Sequence, residues 1–234
     1  MGPFLRYPTA SGDMRLLNLP HAEAVMNEVF TDDCYRINEI PRESIVLDVG
    51  GFYGEFGILC YMERNCKVMI FEPSLETFKI LEFNVELNRS SLRQSITDGD
   101  ICQKWAAIGS ATEMRKFTYR EDHPAGSMFD VGGCDISCLT LSSQIALVSK
   151  MWGDSPICVK LDCEGAEKEI FESDQSWMDA IDLITMEWHN YDGDYYANFL
   201  EKKGFRVELE GGGPKPRPKW DKTIGGGLLF AKKF

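Results

Sequence analysis

Along most of the chain, short apolar runs alternate with segments whose apolar residues recur every three or four positions. The first run, residues 45–48, is followed by a glycine-rich turn and then by a helical pattern. The second run, residues 66–73, precedes a helical pattern over 75–88. Because an amphipathic helix buries one stripe against a sheet, this alternation predicts an α/β fold in which crossover helices connect parallel strands.

The remaining pattern predicts strands at 101–109, 157–165 and 181–189, a helix at 194–204, and a closing pair of strands at 205–211 and 226–233. An insertion at about 110–152 separates the third strand from the fourth, and we expect a hairpin and a loop there that lead into a helix. Residues 41–234 then form one domain, which suits the length of the chain. The N-terminal segment, residues 1–40, contains one helical pattern that could fold over the sheet as a lid or pack on its edge.

Charge and cysteine content narrow the classes of partner. The chain has 25 Lys and Arg against 37 Asp and Glu, a formal net charge of -12, which repels phosphate groups. Nucleic acid and anionic membranes are therefore not expected as partners. No run approaches the roughly 20 apolar residues that span a bilayer, and the first residues lack the apolar core of a signal peptide. With 8 cysteines and no CxxC pair, we expect free thiols and a cytoplasmic protein.

Carboxylates and one histidine end the predicted strands. In an open parallel sheet, ligands bind in the crevice beyond the carboxyl ends of the strands. The first, second, fourth and fifth strands all end in titratable residues, which are Asp48, Glu72, Asp162 with Glu164, and Glu187 with His189. The sequence thus predicts one site lined with acids.

The glycine turn is unsuited to a dinucleotide. A G-x-G-x-x-G turn needs a second glycine where this chain has Phe52 or Tyr53, depending on the register, and Glu55 adds negative charge just beyond the turn. Glu72 still occupies the position of an acid that accepts hydrogen bonds from a ribose diol. A ligand with a ribose, no phosphates and a cationic tail fits, and S-adenosylmethionine (SAM) is the common one.

The blocks "VLDVGGFYGEFGI", "FEPSLETFKILEFNVELN", "AAIGS", "LTLSSQI", "VKLDCEGAEKEIF" and "MEWHNYD" occur in that order between residues 35 and 232. In this arrangement the chain resembles the FkbM family of SAM-dependent methyltransferases, and "DCEGAE" is the most specific block. The resemblance implies a Rossmann-like class I methyltransferase fold, whose mostly parallel seven-stranded sheet has an antiparallel last strand.

The resemblance also implies positions for the cofactor. The glycine turn would approach the methionine part of SAM, Glu72 would take the ribose hydroxyls, and the residues around Ala106 would border the adenine. The chain departs from the family at Gly51-Phe52, where Ala-Asn is usual, so a side-chain amide contact is not expected there. The residues assigned to the cofactor are Asp48, Gly50, Gly51, Phe52, Gly54, Glu72, Pro73, Trp105, Ala106, Ala107 and Asp162.

Four residues are assigned to the chemical step: Asp162, Glu164, Glu187 and His189. His189 has the ordinary pKa nearest neutrality and Asp162 is the best-placed carboxylate, so either could serve as the base. A structural role for His189 stays open. The two glutamates could orient the base or help to hold a divalent cation, although no strict ligand spacing assigns a metal.

These features favour SAM-dependent O-methylation of a small molecule or modified natural product. Two alternatives keep the fold, namely N-methylation of an amide or amine of a peptide and noncatalytic SAM binding. A nicotinamide-dependent oxidoreductase is the alternative from another class. The acceptor, the metal dependence and the oligomeric state are left open by the sequence.

Overall fold

A computed structural model describes residues 2–89, 99–118, 133–189, 193–211 and 226–233. Its strands are β1 (Phe4–Thr9), β2 (Gly12–Leu17), β3 (Ile45–Val49), β4 (Lys67–Phe71), β5 (Ile101–Lys104), β6 (Ala107–Gly109), β7 (Glu113–Phe117), β8 (Cys134–Thr140), β9 (Ile157–Leu161), β10 (Leu183–His189), β11 (Arg206–Gly211) and β12 (Gly226–Lys232). Its α-helices are α1 (Ala22–Met26), α2 (Glu55–Arg64), α3 (Leu75–Arg89), α4 (Leu141–Trp152), α5 (Glu167–Glu172), α6 (Ser176–Ala180) and α7 (Gly193–Lys202).

The central sheet has seven strands in the order β11-β12-β10-β9-β3-β4-β5. The pairs from β10 through β9, β3 and β4 to β5 are parallel, while β12 is antiparallel to both of its neighbours. This topology confirms the predicted Rossmann-like sheet with an antiparallel last strand. It also brings the carboxyl ends of β4, β3, β9 and β10 together along one edge.

Helices cover both faces of the sheet, and this explains the continuous apolar runs. All five residues of β3 and of β9 are buried, as expected for strands of a covered parallel sheet. Alternate residues of β3 enter different clusters, because successive side chains point to opposite faces. Leu47 belongs to the cluster that contains Phe171 and Trp188, whereas Val46 belongs to the cluster that contains Phe56.

The prediction of one strand over 101–109 is wrong. The segment divides into β5, which pairs with β4 of the central sheet, and β6, which pairs with β8 of a separate three-stranded sheet ordered β6-β8-β7. A turn joins β5 to β6, and in this turn the Ala106 N–H donates to the Lys104 carbonyl at 2.9 Å. Of the insertion predicted at about 110–152, β7, β8 and α4 are seen, and 119–132 lie outside the described residues.

A hairpin of β1 and β2, which the sequence pattern did not indicate, opens the chain and packs on α3. The outer edge of β2 is paired through side chains: the Asn88 amide oxygen accepts from the Arg15 N–H at 2.8 Å, and the Asn84 amide oxygen accepts from the Leu17 N–H at 3.0 Å. Further along, the Arg36 guanidinium donates to Glu208 on β11 at 2.8 Å. Both ends of the N-terminal segment are therefore attached to the domain.

All eight cysteines are free thiols. Among the described residues, no helix combines the length and the apolar character that crossing a membrane requires.

Candidate active site

The carboxyl ends of β3, β4, β9 and β10 open into one cavity of about 220 Å³. At one end its wall is formed by the glycine turn after β3, by Glu72 and Pro73 after β4, and by Ala106 and Ala107. We call this the cofactor end. At the other end the wall is formed by Asp162, Glu164, Glu187 and His189, together with Val25, Glu28, Val29 and Tyr35 of the N-terminal segment. We call this the acceptor end.

The glycine turn is constrained by backbone geometry. Gly50 has φ 80°, in the left-handed region that favours glycine, and a Cβ there would lie 1.8 Å from the Asp162 carbonyl oxygen. The N–H groups of Gly50 and Gly51 both donate to the Phe71 carbonyl, at 3.1 and 2.9 Å. The turn is therefore attached to β4 and lies against the chain that leaves β9.

Glu72 lies at the cofactor end with its carboxylate held by two backbone donors. One oxygen accepts from the Phe52 N–H at 3.0 Å and the other from the Ser74 N–H at 2.8 Å. The residue is 7% exposed, and burial raises its pKa to about 8. Since a carboxylate oxygen can accept more than one hydrogen bond, these contacts position Glu72 without exhausting its acceptors.

Two further acids lie at the turn. Asp48 is fully buried, and within the described part of the chain neither of its carboxylate oxygens has a hydrogen-bond partner. Glu55, at the start of α2, is 4% exposed and has one unpaired oxygen, Oε2, on the same basis. Burial raises the pKa of Asp48 to about 6 and that of Glu55 to about 8. The cofactor end therefore has two buried acids nearby that are short of hydrogen-bond donors among the described residues.

The sequence reasoning missed Lys160, which connects the two ends. Its ammonium is buried, donates to the Gly50 carbonyl at 2.6 Å, and lies 3.4 Å from Asp48 Oδ1 and 3.5 Å from Asp162 Oδ2. Burial opposes the charge, but Asp162 and Asp48 outweigh burial and raise the pKa of Lys160. The sequence did contain a signal for this role, namely a lysine inside an apolar strand, because a buried ammonium needs a partner.

Asp162 follows β9 and faces the acceptor end. Its Oδ2 accepts a hydrogen bond from the Tyr35 hydroxyl at 2.9 Å, so the N-terminal segment helps to position it. Burial opposes ionisation, but Lys160 and His189 outweigh burial and hold the pKa of Asp162 below its usual value. Asp162 is therefore a carboxylate at neutral pH.

His189 ends β10 and lies among carboxylates. Its Nδ1 is 3.2 Å from Glu167 Oε1, and its Nε2 is 3.5 Å from Glu164 Oε2 and 3.9 Å from Glu187 Oε1. Burial alone would lower the pKa of His189, but hydrogen bonding to Glu167 and the charge of Glu164 raise it to about 10. A protonated imidazole cannot accept a proton, so this environment favours Asp162 over His189 as the base.

The structure brings the four residues assigned to chemistry together. Asp162, Glu164 and His189 each offer one ligand atom within 4.8 Å of the others, so these three could hold a cation. Glu164 has φ 53°, and burial raises its pKa to about 7 against the opposing effect of His189. Sequence reasoning did not assign Glu167 to the site. This residue is fully buried and contacts the His189 ring at Nδ1.

Some residues assigned to the cofactor lie outside the cavity wall. Trp105 is 40% exposed, and its indole N–H donates to the Pro73 carbonyl at 2.9 Å, while Ala106 and Ala107 line the cavity. Gly54 is the N-cap residue that precedes α2, with φ 90°, and a Cβ there would lie 3.2 Å from Ile58. Trp105, Gly54 and the fully buried Asp48 thus shape the segments around the cavity and do not line it.

A sheet of this order, with a glycine turn after β3 and an acid after β4, defines the Rossmann-like class I methyltransferase fold. Residues 48–207 match the Methyltransferase FkbM domain, and the chain belongs to that family.

Named relatives agree with this assignment. "Methyltransferase 1" of Beauveria bassiana (strain ARSEF 2860) is 28% identical over 226 residues, which cover 85% of this chain and 84% of that protein. "Methyltransferase sdnD" of Sordaria araneosa is 34% identical over 70 residues, and these residues cover 29% of this chain and 26% of that protein. A putative rRNA-methylase of Clostridium thermocellum shares the fold with a TM-score of 0.50 at 10% identity, over 87% of this chain and 94% of that one. Together, the family and its relatives support methyltransferase function.

Proposed function

We propose that this protein is a SAM-dependent O-methyltransferase that acts on a hydroxyl group of a small molecule or modified natural product. The observation that carries the proposal is the division of one cavity. Glu72 and the glycine turn lie at the cofactor end, and the ionised Asp162 lies at the acceptor end. Both are needed for transfer, because in-line displacement depends on holding the two reactants in one site.

The residues at the cofactor end fit SAM. Glu55 lines the cavity as a buried acid, and among the described residues its Oε2 is unpaired; such a group is costly unless a cation or a donor approaches it. When bound, SAM supplies an electrophilic methyl group on a cationic sulfonium. Glu72 would accept hydrogen bonds from the ribose hydroxyls, and Ala106 and Ala107 leave room beside it for a flat base.

At the acceptor end, Asp162 would orient the hydroxyl and accept its proton. The Tyr35 hydroxyl and the Lys160 ammonium both contact Oδ2, so they hold the carboxylate without occupying Oδ1. Val25 and Val29 of the N-terminal segment contribute apolar wall, which limits the access of water. Positioning by these residues would supply most of the rate, and a placed base typically adds about 10²- to 10⁴-fold.

Acidic residues at the acceptor end favour O-methylation over N-methylation of an amine. An amine next to Asp162, Glu164 and Glu187 would be stabilised as its ammonium ion, which has no lone pair for attack. A hydroxyl group is neutral and can donate to the same carboxylates. Phe52 lines the cavity at a position where a dinucleotide turn needs a glycine, which argues against a nicotinamide cofactor.

Calorimetry with SAM tests the cofactor assignment. We expect Glu72→Ala to weaken SAM binding by about 1–3 kcal/mol, because the hydrogen bonds to the ribose are lost. Gly54→Val should also reduce binding, since it changes the start of α2 at the turn. Glu82→Ala, which changes an exposed acid on α3, is the matched control. Parental affinity in a folded Glu72→Ala variant would contradict the assignment.

Incubation with methyl-labelled SAM and extracts of the source organism, followed by mass spectrometry, would identify the acceptor and the methylated atom. With that acceptor, Asp162→Asn should retain SAM binding and lose about 10²- to 10⁴-fold in turnover. Label on nitrogen would show N-methylation instead. SAM binding without transfer to any acceptor would favour a noncatalytic protein.

A further inference from the structure

We propose that Asp162, Glu164 and His189 form a binding site for a divalent cation, such as Mg²⁺ or Mn²⁺, at the acceptor end of the cavity. The three residues come from the ends of two adjacent strands, β9 and β10, and all three line the cavity. Carboxylate oxygens suit Mg²⁺ and Mn²⁺, and a single imidazole extends the set to transition metals.

The separation of the ligand atoms suits one cation. All three atoms lie within 4.8 Å of one another, and His189 Nε2 lies 3.5 Å from Glu164 Oε2. At metal–ligand distances of about 2.1 Å, adjacent octahedral ligands are about 3 Å apart and opposite ones about 4.2 Å. Side-chain movements of about half an ångström would therefore bring the three atoms onto a common centre.

Glu167 is the independent observation that points to a ligand role for His189. It is fully buried, its two oxygens accept from the N–H groups of Cys163 and Gly165 at 2.9 Å each, and it lies 3.2 Å from His189 Nδ1. Metal-ligating histidines characteristically donate their second ring nitrogen to a carboxylate in this way, which orients the ring. The arrangement directs Nε2 toward Glu164 and Glu187, and a cation bound there would displace the proton that Nε2 carries in its absence.

Among the described residues, the neighbours of Asp162 leave one of its oxygens for a cation. The Tyr35 hydroxyl and the Lys160 ammonium both contact Oδ2, and neither contact occupies Oδ1. The distances from His189 Nε2 to Glu164 and Glu187, 3.5 and 3.9 Å, are longer than a normal hydrogen bond. A cation between these groups would replace long contacts with short ligand bonds.

The role of the cation rests on the proposed function, although its binding does not. Three protein ligands leave open positions on an octahedral ion, and an acceptor hydroxyl in one of them would become more acidic. Its proton would pass to Asp162 or to water, the oxygen would form a bond to the methyl carbon, and the electron pair of the broken C–S bond would return to sulfur. The cation would hold the hydroxyl in place.

Titration of the full chain with Mn²⁺, followed by electron paramagnetic resonance of the free ion and without SAM or acceptor, tests the site. We expect one Mn²⁺ per chain, displaced by excess Mg²⁺. Glu164→Gln removes a half-exposed ligand and should weaken binding at least about 10-fold. His189→Asn should do the same, while its amide can still donate to Glu167 and so protect the fold.

His21→Ala is the matched control, because His21 is an exposed histidine at the start of α1, and it should bind Mn²⁺ as the parent does. Absence of saturable Mn²⁺ binding, or parental binding by folded Glu164→Gln and His189→Asn, would overturn the proposal. Mn²⁺ binding without SAM binding would leave the metal site standing and refute the proposed function. If the protein binds SAM and transfers methyl groups in the presence of chelator but does not bind Mn²⁺, the proposed function stands and the metal site is refuted.

Discussion

The two ends of the cavity are built differently. At the cofactor end, the turn after β3 and the acid after β4 are local features, and their key contacts are backbone hydrogen bonds to Phe71 and Glu72. At the acceptor end, side chains meet from β9, β10, α5 and the N-terminal segment. Tyr35 and Asp162, which are hydrogen-bonded there, are 127 residues apart in the chain.

This difference bears on how each end responds to change. The cofactor end is held by backbone hydrogen bonds, so it depends on glycine conformation and tolerates few substitutions at the turn itself. The acceptor end is formed by side chains, so it depends on the balance of their charges. Four acids, Asp162, Glu164, Glu167 and Glu187, lie around His189. The Lys160 ammonium contacts both ends, through the Gly50 carbonyl and Asp162.

The largest expected effect comes from removing that connection. Lys160→Met would leave Asp48 and Asp162 without their shared cation and should lower the free energy of unfolding by about 3–5 kcal/mol. Lys67→Met is the control, because Lys67 forms an ion pair with Asp100 at 2.9 Å but its side chain is 44% exposed, and it should cost about 0–1 kcal/mol. Equal losses in urea denaturation would show that the two ends do not depend on Lys160.

The next largest expected effect concerns the glycine turn at the cofactor end. Gly50→Ala places a Cβ 1.8 Å from the Asp162 carbonyl oxygen at φ 80°, whereas Gly204→Ala has φ 83° and no atom within 4 Å. Both substitutions carry about 1–2 kcal/mol of left-handed strain. Only Gly50→Ala adds the clash, so it should be clearly the less stable variant and should lose SAM binding. Similar unfolding midpoints for the two would contradict this account.

A pH-dependent effect is expected at Glu55. Its pKa rises from 4.5 to about 8 on folding, so the unfolded chain releases the proton first, and this residue makes folding less favourable as pH rises through that window. Glu55→Gln removes the titration and should stabilise the protein by about 1–3 kcal/mol above the window, with little effect below it. Thermal unfolding across pH measures the difference. A stabilisation that does not change with pH would show that Glu55 is not buried as an acid.

The smallest effect concerns the attachment of the N-terminal segment to the acceptor end. Tyr35→Phe keeps the ring that packs edge-on against Phe56, at 5.5 Å between centroids, and removes only the hydrogen bond to Asp162. The free energy of unfolding should fall by about 1 kcal/mol, and SAM affinity should stay unchanged. A large loss of SAM affinity would mean that the acceptor end also organises the cofactor end.

Particular elements show how far the sequence could be used. The strands at 45–48 and 181–189 were predicted because apolar runs between helical patterns are typical of a covered parallel sheet. The run 101–109 was misassigned, because pairing of β5 with β4 and of β6 with β8 depends on partners distant in sequence. The hairpin of β1 and β2 was missed for a related reason, since Asn84 and Asn88 of α3 complete its edge.

The sequence by itself determined the order of the elements, the glycine turn and the acids that end the strands, because periodicity and turn chemistry are local properties of the chain. Only the tertiary structure decided which groups share a proton or a charge. It placed Lys160 between Asp48 and Asp162, and Glu167 behind His189. The pKa of a buried group depends on distance and burial in space, and spacing along the chain specifies neither.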